Sequence, residues 1–193
     1  MTAHRSPLTV RVAILTISDA GFRGERQDTS GDAIAGWVDA HGFMLVDRRI
    51  IPDETVAIAR SLMEWADEGL AELVITTGGT GLTPRDVTPE ATRAVLEREA
   101  PGIAEAIRAE ALARFPRAAL SRGLAGVRGR TLIVNLPGSP GGVNDGLVVL
   151  TRWVHHAVEM VRGEHTSHAG DRATGGSGDP RPLPAPRSPL PGS

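Results

Sequence analysis

The sequence predicts a three-layer α/β fold in which a mostly parallel sheet carries helices on both faces. Short apolar runs rich in β-branched residues, typical of strands buried on both faces, alternate with amphipathic segments typical of helices. Strands separated by helices indicate successive βαβ units, which form parallel sheets. The 193 residues, of which 40% are hydrophobic, are also enough to bury one sizeable core.

The expected strands are short and apolar, and the third of them reads LVITT. They are expected at residues 10–17, 43–51, 73–77 and 131–135. Ligands of parallel sheets bind beyond the carboxyl ends of the strands, near the point where the strand order reverses. The segments that follow these four strands are therefore the candidates for chemistry.

The expected helices show capping residues and apolar residues at helical spacing. A Thr29/Ser30 cap precedes a helix at residues 31–41, and Gly69 ends a helix at residues 55–68. The inward-facing residues of this second helix are expected to be Val56, Ala59, Leu62, Met63 and Ala66. Thr88 is expected to cap a helix whose first residue is Pro89, and later helices are expected at residues 103–115 and 143–161.

The chain is expected to hold one folded domain, residues 1–162, followed by a disordered tail, residues 163–193. The tail is rich in Gly and Pro and nearly free of large apolar residues, so it cannot bury enough surface to offset the entropy lost on ordering. Its Pro-rich end also has the composition of a polyproline II ligand.

Composition excludes several classes of site. The chain has no Cys and no Lys, so disulfides, thiol nucleophiles, Schiff-base lysines and a Walker A loop are ruled out. A formal net charge of -2 and 3% aromatic residues argue against a nucleic-acid partner. No apolar run is long enough to cross a membrane, and no secretory signal is visible, so a cytoplasmic enzyme or binding protein is expected.

The strongest local feature is the glycine-rich segment that follows the third strand. Gly78, Gly79 and Gly81 allow successive backbone N–H groups to point into one concavity, which binds a phosphate without a cationic side chain. Thr77 and Thr80 add hydroxyl donors. The alternative interpretation is a tight strand-to-helix turn that requires glycine only for its backbone shape.

Two aspartates are candidates for holding a metal ion at the same edge of the sheet. Asp53 follows the second strand and Asp86 follows the glycine-rich segment. Paired carboxylates near a phosphate site suggest Mg²⁺, which prefers oxygen ligands and substrate phosphates. Each residue also has a structural interpretation, since Asp53 is placed to cap a helix and Asp86 to form a turn.

Two further segments are weaker candidates. Ser121 and Arg122 offer a hydroxyl and a guanidinium suited to a phosphate, although the local sequence favours a plain surface position for Arg122. The segment from Asn135 through Pro137, Gly138 and Ser139 is either a rigid turn close to a ligand or a plain loop.

Taken together, these segments resemble the molybdopterin adenylyltransferase family of molybdenum cofactor biosynthesis, which is similar to the G domain of gephyrin. The resemblance covers residues 10–161, with the blocks in the same order. The matching blocks are Thr16-Ile17-Ser18-Asp19, Ile51-Pro52-Asp53-Glu54, Thr76-Thr77-Gly78-Gly79-Thr80-Gly81, Arg85-Asp86-Val87-Thr88-Pro89-Glu90, Leu120-Ser121-Arg122 and Asn135-Leu136-Pro137-Gly138-Ser139.

This resemblance implies an α/β fold and a homotrimer that transfers AMP from ATP to the phosphate of molybdopterin, releases pyrophosphate and uses Mg²⁺. It implies that Asp53 and Asp86 are catalytic and associated with the metal. The substrate-binding residues that it implies are Ser18, Asp19, Thr77, Gly78, Gly79, Thr80, Gly81, Ser121, Arg122, Asn135, Pro137, Gly138 and Ser139. Other molybdenum-cofactor enzymes are candidate partners.

Two competing interpretations remain open. The amino-terminal domain of competence-damage-inducible proteins has a similar glycine-rich loop and hydrolyses nucleotide pyrophosphates, but it carries a Gly-Thr-Glu motif where this chain has Ser18-Asp19. The domain is alternatively a non-catalytic molybdopterin-binding protein of the same family. Retention of both aspartates favours the enzyme.

Overall fold

The computed structural model describes residues 9–163, in which six strands form one sheet. The strands are β1 (Arg11–Ile17), β2 (Met44–Ile51), β3 (Leu73–Thr77), β4 (Arg98–Glu99), β5 (Ala125–Arg128) and β6 (Thr131–Leu136). Their order across the sheet is β2-β1-β3-β6-β5-β4. β2, β1, β3 and β6 are parallel, whereas β5 and β4 are antiparallel to their neighbours. The prediction of a mostly parallel sheet is confirmed.

Seven α-helices and one 3-10 helix lie between or after the described strands. They are α1 (Asp19–Phe22), α2 (Thr29–Ala40), α3 (Thr55–Asp67), α4 (Thr88–Val95), α5 (Pro101–Leu112), the 3-10 helix Pro116–Leu120, α6 (Pro140–Thr151) and α7 (Val154–Arg162). No helix within residues 9–163 combines the length and the apolar character that crossing a membrane requires.

The core consists of two apolar clusters, one on each face of the sheet. Residues of β1 alternate between them: Val12 and Ile14 belong to one cluster, and Leu15 belongs to the other. The first cluster receives side chains from α2, α5, α6 and α7, and the second receives them from α3 and α4. This period-two alternation confirms the predicted three layers.

The inward face of α3 differs from the prediction. Val56 and Met63 are exposed, whereas Ile58 and Trp65 are fully buried. The buried face of α3 therefore points in a different direction from the predicted one, because the prediction did not include the aromatic ring of Trp65. Trp65 is anchored by its indole N–H, which donates to Asp47 Oδ2 at 3.0 Å, and Arg49 packs over the ring.

Two helix boundaries also correct the prediction. Helix α2 begins at Thr29 and is capped by Asp28, whose carboxylate accepts from the N–H of Gly31 at 2.9 Å. The single helix expected at residues 143–161 is two helices, because Trp153 leaves the helical conformation at φ -149° and ψ -1°. Trp153 packs against the core, a tertiary contact that local periodicity does not contain.

The short strands β4 and β5 were not anticipated. β4 has two residues, and β5 reads AGVR, which has little of the β-branched character used to recognise strands. The predicted tail, apart from Gly163, lies outside the described residues. The boundary between domain and tail stays a prediction.

We expect Gly126→Ala to lower the stability of the protein by about 1–3 kcal/mol, the usual cost of overpacking. A Cβ at Gly126 in β5 would lie 2.4 Å from the backbone oxygen of Arg98, so strands β4 and β5 would have to separate. Chemical denaturation monitored by circular dichroism measures this change.

The matched control is Gly36→Ala in α2. A Cβ there meets no atom within 4 Å, and alanine favours a helix interior over glycine, so stability should rise by about 0.5–1 kcal/mol. Equal effects of the two substitutions would contradict the packing described for β5.

Candidate active site

The candidate site lies at the carboxyl ends of β1 and β3. β1 is flanked by β2 on one side and β3 on the other, so the chain crosses over in opposite directions around it. A crevice opens at such a switch point, and it is the usual ligand site of an open α/β sheet. The segments that follow β1, β2, β3 and β6 all meet here, as the sequence predicts.

The glycine-rich segment packs directly against the end of β1. Gly78 and Gly79 have φ values of 100° and 63°, in the left-handed region that favours glycine. A Cβ at Gly78 would lie 2.2 Å from the backbone oxygen of Ile17, and one at Gly79 would lie 2.3 Å from Thr88 Oγ1. The turn therefore requires glycine at both positions, and the anion-binding nest stays a prediction.

Thr88 fixes this turn rather than capping a helix. Its Oγ1 donates to the backbone oxygen of Gly78 at 2.9 Å, and its N–H donates to that of Gly79 at 3.1 Å. Val87 holds the cap position of α4 and makes no side-chain hydrogen bond there. The predicted cap at Thr88 is therefore wrong, since Thr88 is itself the first residue of α4.

Asp53 does not cap a helix, so its structural interpretation is wrong. Glu54 takes the cap position of α3. Asp53 Oδ2 instead accepts from the N–H of Asp19 at 2.9 Å, and Asp19 Oδ1 accepts from the N–H of Asp53 at 3.1 Å. This reciprocal pair joins the segments that follow β1 and β2.

The surroundings of the Asp53 carboxyl destabilise its charged form. Burial raises the pKa of Asp53 above its ordinary value, and the nearby carboxylates of Asp19 and Asp86 raise it further. The N–H of Asp19 and the charge of Arg85 oppose this without overcoming it. Within residues 9–163, no cationic side chain forms an ion pair with Asp53, so a cation bound beside it would relieve the repulsion.

Asp86 forms a turn, which confirms the structural interpretation of this residue. Its Oδ2 accepts from the N–H of Thr83 at 2.8 Å. Burial raises its pKa, but the hydrogen bonds from Thr83 and Gly81 and the charge of Arg122 outweigh this, and the pKa is lowered overall. Asp86 therefore carries a stable negative charge beside Gly81 and remains able to bind metal through a further lone pair.

Arg122 braces the glycine-rich segment from outside. Its Nε donates to the backbone oxygen of Gly81 at 2.6 Å, and its other nitrogens donate to the backbone oxygen of Asp86 and to Glu90. It is thus more than the surface arginine of the plainer interpretation. Its predicted contact with a substrate phosphate is untested, and these bonds already engage its guanidinium.

Asn135 lies within β6, not in the loop that follows it. The side chain is 3% exposed, and its amide nitrogen donates to Thr76 Oγ1 at 2.9 Å and to Thr92 Oγ1 at 3.0 Å. Its Oδ1 accepts from the N–H of Leu124 at 3.3 Å. Asn135 therefore joins β3, α4 and β6 below the site, and it lines neither of the clefts described next.

Two neighbouring clefts share three lining residues, Gly79, Gly138 and Ser139, which we call the ridge. The first has a volume of about 360 Å³, and its polar lining includes Ser18, Asp53, Thr77 and Gly78. The second has a volume of about 610 Å³, and its lining includes Thr80, Gly81, Asp86, Ser121 and Pro137. The two predicted metal-binding aspartates thus line different clefts, although the charge of Asp86 acts on Asp53.

Several lining residues were not anticipated. Arg26 and Asp28 line the first cleft, and Phe115 and Arg117 line the second. Arg26 and Asp28 immediately precede α2, so a search of the segments before helices could have found them. Phe115 and Arg117 lie around the 3-10 helix, which carries no periodic pattern.

The carboxylates of this site fit a hard cation. No group of three or more metal-binding side chains occurs within residues 9–163. Mg²⁺ does not need such a group, since it commonly binds one or two carboxylates and completes its shell with water and substrate phosphates. Asp53 and Asp86 supply ligands of this type, and a bound cation would relieve the repulsion that the carboxylates of Asp19 and Asp86 exert on Asp53.

Comparison with known proteins identifies related chains. Residues 13–156 match the model of the family described as probable molybdopterin binding domain. The molybdopterin adenylyltransferase of Escherichia coli is 42% identical over 142 residues, which are 72% of this chain and 72% of that protein. The cinnamon protein of Drosophila melanogaster, a molybdenum cofactor synthesis protein, is 40% identical over 79% of this chain, which spans only 26% of that longer protein.

Solved structures agree with this similarity. The molybdopterin biosynthesis enzyme MoaB of Thermus thermophilus is 52% identical and superposes with a TM-score of 0.76, over 80% of this chain and 98% of that one. CinA of Thermoplasma acidophilum is 16% identical with a TM-score of 0.57, over 78% of this chain and 98% of that one, and shares the fold alone.

We expect Asp53→Asn to raise the melting temperature at neutral pH by on the order of 1–3 °C. The folded-state pKa of Asp53 is raised, so its ionisation lowers stability once the pH exceeds that pKa. Asparagine removes the charge and keeps an oxygen that accepts from the Asp19 N–H. Thermal denaturation from about pH 3.5 to about pH 8 tests this.

The higher melting temperature of Asp53→Asn should disappear below the ordinary aspartate pKa of 3.8, because there the wild-type carboxyl is neutral in both the folded and the unfolded protein. A lower melting temperature for Asp53→Asn at pH 7 would show that the charge stabilises the site.

Proposed function

This chain belongs to the family of probable molybdopterin-binding domains, and on that basis we propose that it is a molybdopterin adenylyltransferase. The reaction joins AMP from ATP to the phosphate of molybdopterin, gives adenylyl-molybdopterin and releases pyrophosphate. Relatives with this name are 36–42% identical to the chain, among them those of Helicobacter pylori and Escherichia coli. The observation that carries the proposal is that Asp53 lines one cleft and Asp86 lines the other, while Gly79, Gly138 and Ser139 line both.

The two clefts suit a reaction between two substrates. An oxygen of the molybdopterin phosphate attacks the α-phosphorus of ATP, and the bond between that phosphorus and the bridging oxygen of pyrophosphate breaks. The ridge formed by Gly79, Gly138 and Ser139 lines both clefts, so the reacting groups of two bound molecules meet across it. Holding them in line supplies a large part of such an acceleration.

The chemical difficulty is repulsion between the two phosphates. Mg²⁺ bound by Asp53 and Asp86 would supply positive charge at this point. The N–H groups of the glycine turn would hold phosphate oxygens without a cationic side chain. No protein nucleophile is needed, because the attacking phosphate is already ionised, and the absence of Lys and Cys from the chain agrees with such a mechanism.

The remaining parts of the proposal concern the setting of the enzyme. We include a homotrimer, a cytoplasmic location and contact with other molybdenum-cofactor enzymes. Three successive apolar side chains, Met44, Leu45 and Val46, are exposed on the edge strand β2. Apolar side chains on an open edge usually mark a contact with another chain, which supports an oligomer.

The decisive experiment is an adenylylation assay with molybdopterin, ATP and Mg²⁺. Formation of adenylyl-molybdopterin and pyrophosphate supports the proposal. Binding of molybdopterin without product would support the alternative, a molybdopterin-binding protein that does not catalyse the transfer.

We expect Asp86→Asn to reduce turnover by about 100-fold or more, since it removes one of two proposed metal ligands. Asparagine keeps an oxygen for the N–H of Thr83, so the turn should stay folded. Asp86→Ala should show a loss at least as large. Steady-state kinetics and circular dichroism measure the two properties separately.

The control is Asp67→Asn, which removes an exposed carboxylate paired with Arg128 at the end of α3. It should leave turnover within about twofold of the wild type. Wild-type turnover by a folded Asp86→Asn protein would exclude the proposed metal-binding role.

A further inference from the structure

Arg85, the residue before the proposed metal ligand Asp86, is held by a single side chain, that of Asp19. Its Nη2 donates to both carboxylate oxygens of Asp19, at 2.8 Å and 2.7 Å, and its Nε donates to Oδ2 at 3.1 Å. The side chains of Arg85 and Asp19 are 59% and 31% exposed. Exposed ion pairs of this kind exchange partners at little cost, because water and salt screen them.

Arg122, on the other side of the same segment, is held differently. It donates to two backbone oxygens, those of Gly81 and Asp86, as well as to Glu90. Releasing Arg122 would leave carbonyl groups of the glycine-rich segment without partners. Releasing Arg85 would break only the contact with Asp19, so of the two arginines Arg85 is the one that can turn to another anion.

Arg85 lines neither cleft, but its partner Asp19 connects it to Asp53, which lines the first cleft. Asp19 is joined to Asp53 by the reciprocal backbone contacts described above. The carboxylates of Asp19, Asp53 and Glu54 all act on the Arg85 guanidinium and raise its pKa. Its planar fork also matches two oxygens of a phosphate as well as it matches the two oxygens of Asp19.

We propose that Arg85 binds a phosphate group of a substrate and that the carboxylate of Asp19 competes with this phosphate for its guanidinium. Asp19 thus has two effects. It positions the backbone of Asp53, and it sets how much of the time Arg85 is turned toward the substrates. This inference rests on the proposed function only in naming phosphates as the ligands.

The proposal has a consequence that a structural ion pair would not have. If Arg85 and Asp19 served only to hold the loops together, removing either side chain would weaken phosphate binding. If they compete, Arg85→Gln weakens binding whereas Asp19→Asn strengthens it. The opposite signs separate the two interpretations.

The experiment measures binding of inorganic pyrophosphate by titration calorimetry, with EDTA present and at low salt. We expect Asp19→Asn to lower the dissociation constant by about 10-fold and Arg85→Gln to raise it by about 10-fold. Asparagine at position 19 keeps an oxygen for the N–H of Asp53. Circular dichroism establishes that each variant is folded.

Removing the Asp19 carboxylate reduces the repulsion of any anion, whether or not Arg85 takes part. The double variant Asp19→Asn/Arg85→Gln separates this general charge effect from competition for Arg85. In the absence of Arg85, the Asp19→Asn change should alter binding by less than about twofold. An equal gain with and without Arg85 would overturn the proposal. Arg93→Gln and Glu99→Gln, which alter an ion pair of similar exposure on another surface, report the effect of net charge alone.

A second titration with inorganic phosphate identifies which phosphate Arg85 contacts. A larger effect with pyrophosphate indicates the group that leaves ATP, and a larger effect with phosphate indicates the acceptor. If neither anion binds to the wild type or to Asp19→Asn, the role of Arg85 is overturned. The adenylylation assay decides the proposed function separately, since turnover does not require that pyrophosphate bind tightly.

Discussion

The close approach of Gly78 to the backbone oxygen of Ile17 is the contact on which the site depends. It brings the end of β3 against the end of β1 with no room for a side chain between them. Thr88 then holds the turn through two hydrogen bonds, so the segment that carries Asp86 leaves the sheet in one direction. On the other side of β1, the reciprocal contacts of Asp19 and Asp53 fix the second carboxylate. The glycine turn and the carboxylate-to-backbone bonds of Asp19 and Asp53 together define where the two aspartates stand.

A chain without lysine handles its charges in two ways. Some arginines support the backbone around the site: Arg122 binds carbonyl groups of the glycine-rich segment, and Arg108 donates to the backbone oxygen of Gly123 at 2.8 Å. Others pair with carboxylates near the clefts, as Arg85 does with Asp19 and Arg48 does with Asp28. A planar guanidinium with several donors serves both purposes, whereas an ammonium group serves the first poorly.

The sequence was informative where local chemistry decides the structure. Residues 73–77 form a strand at the predicted bounds, and the glycines that follow it form the predicted turn. It failed where distant parts of the chain decide. The break at Trp153 comes from packing against the core, and nothing in the loop pattern showed that Asn135 faces Thr76 and Thr92 inside the protein. The partnership of Arg85 and Asp19 joins residues 66 positions apart, so it appears only once β1 and β3 are neighbours.

The ridge between the clefts is itself held by hydroxyl groups. Thr77 Oγ1 donates to the backbone oxygen of Pro137 at 2.7 Å, and Ser30 Oγ donates to that of Gly138 at 2.9 Å. Ser30 lies in α2, which borders one cleft, while the segment it holds forms a wall of both. A molecule that shifts this wall from one side reshapes the space on the other. Thermodynamic linkage makes such an effect mutual: each occupant then changes the affinity for its neighbour by the same factor, whichever of them arrives first.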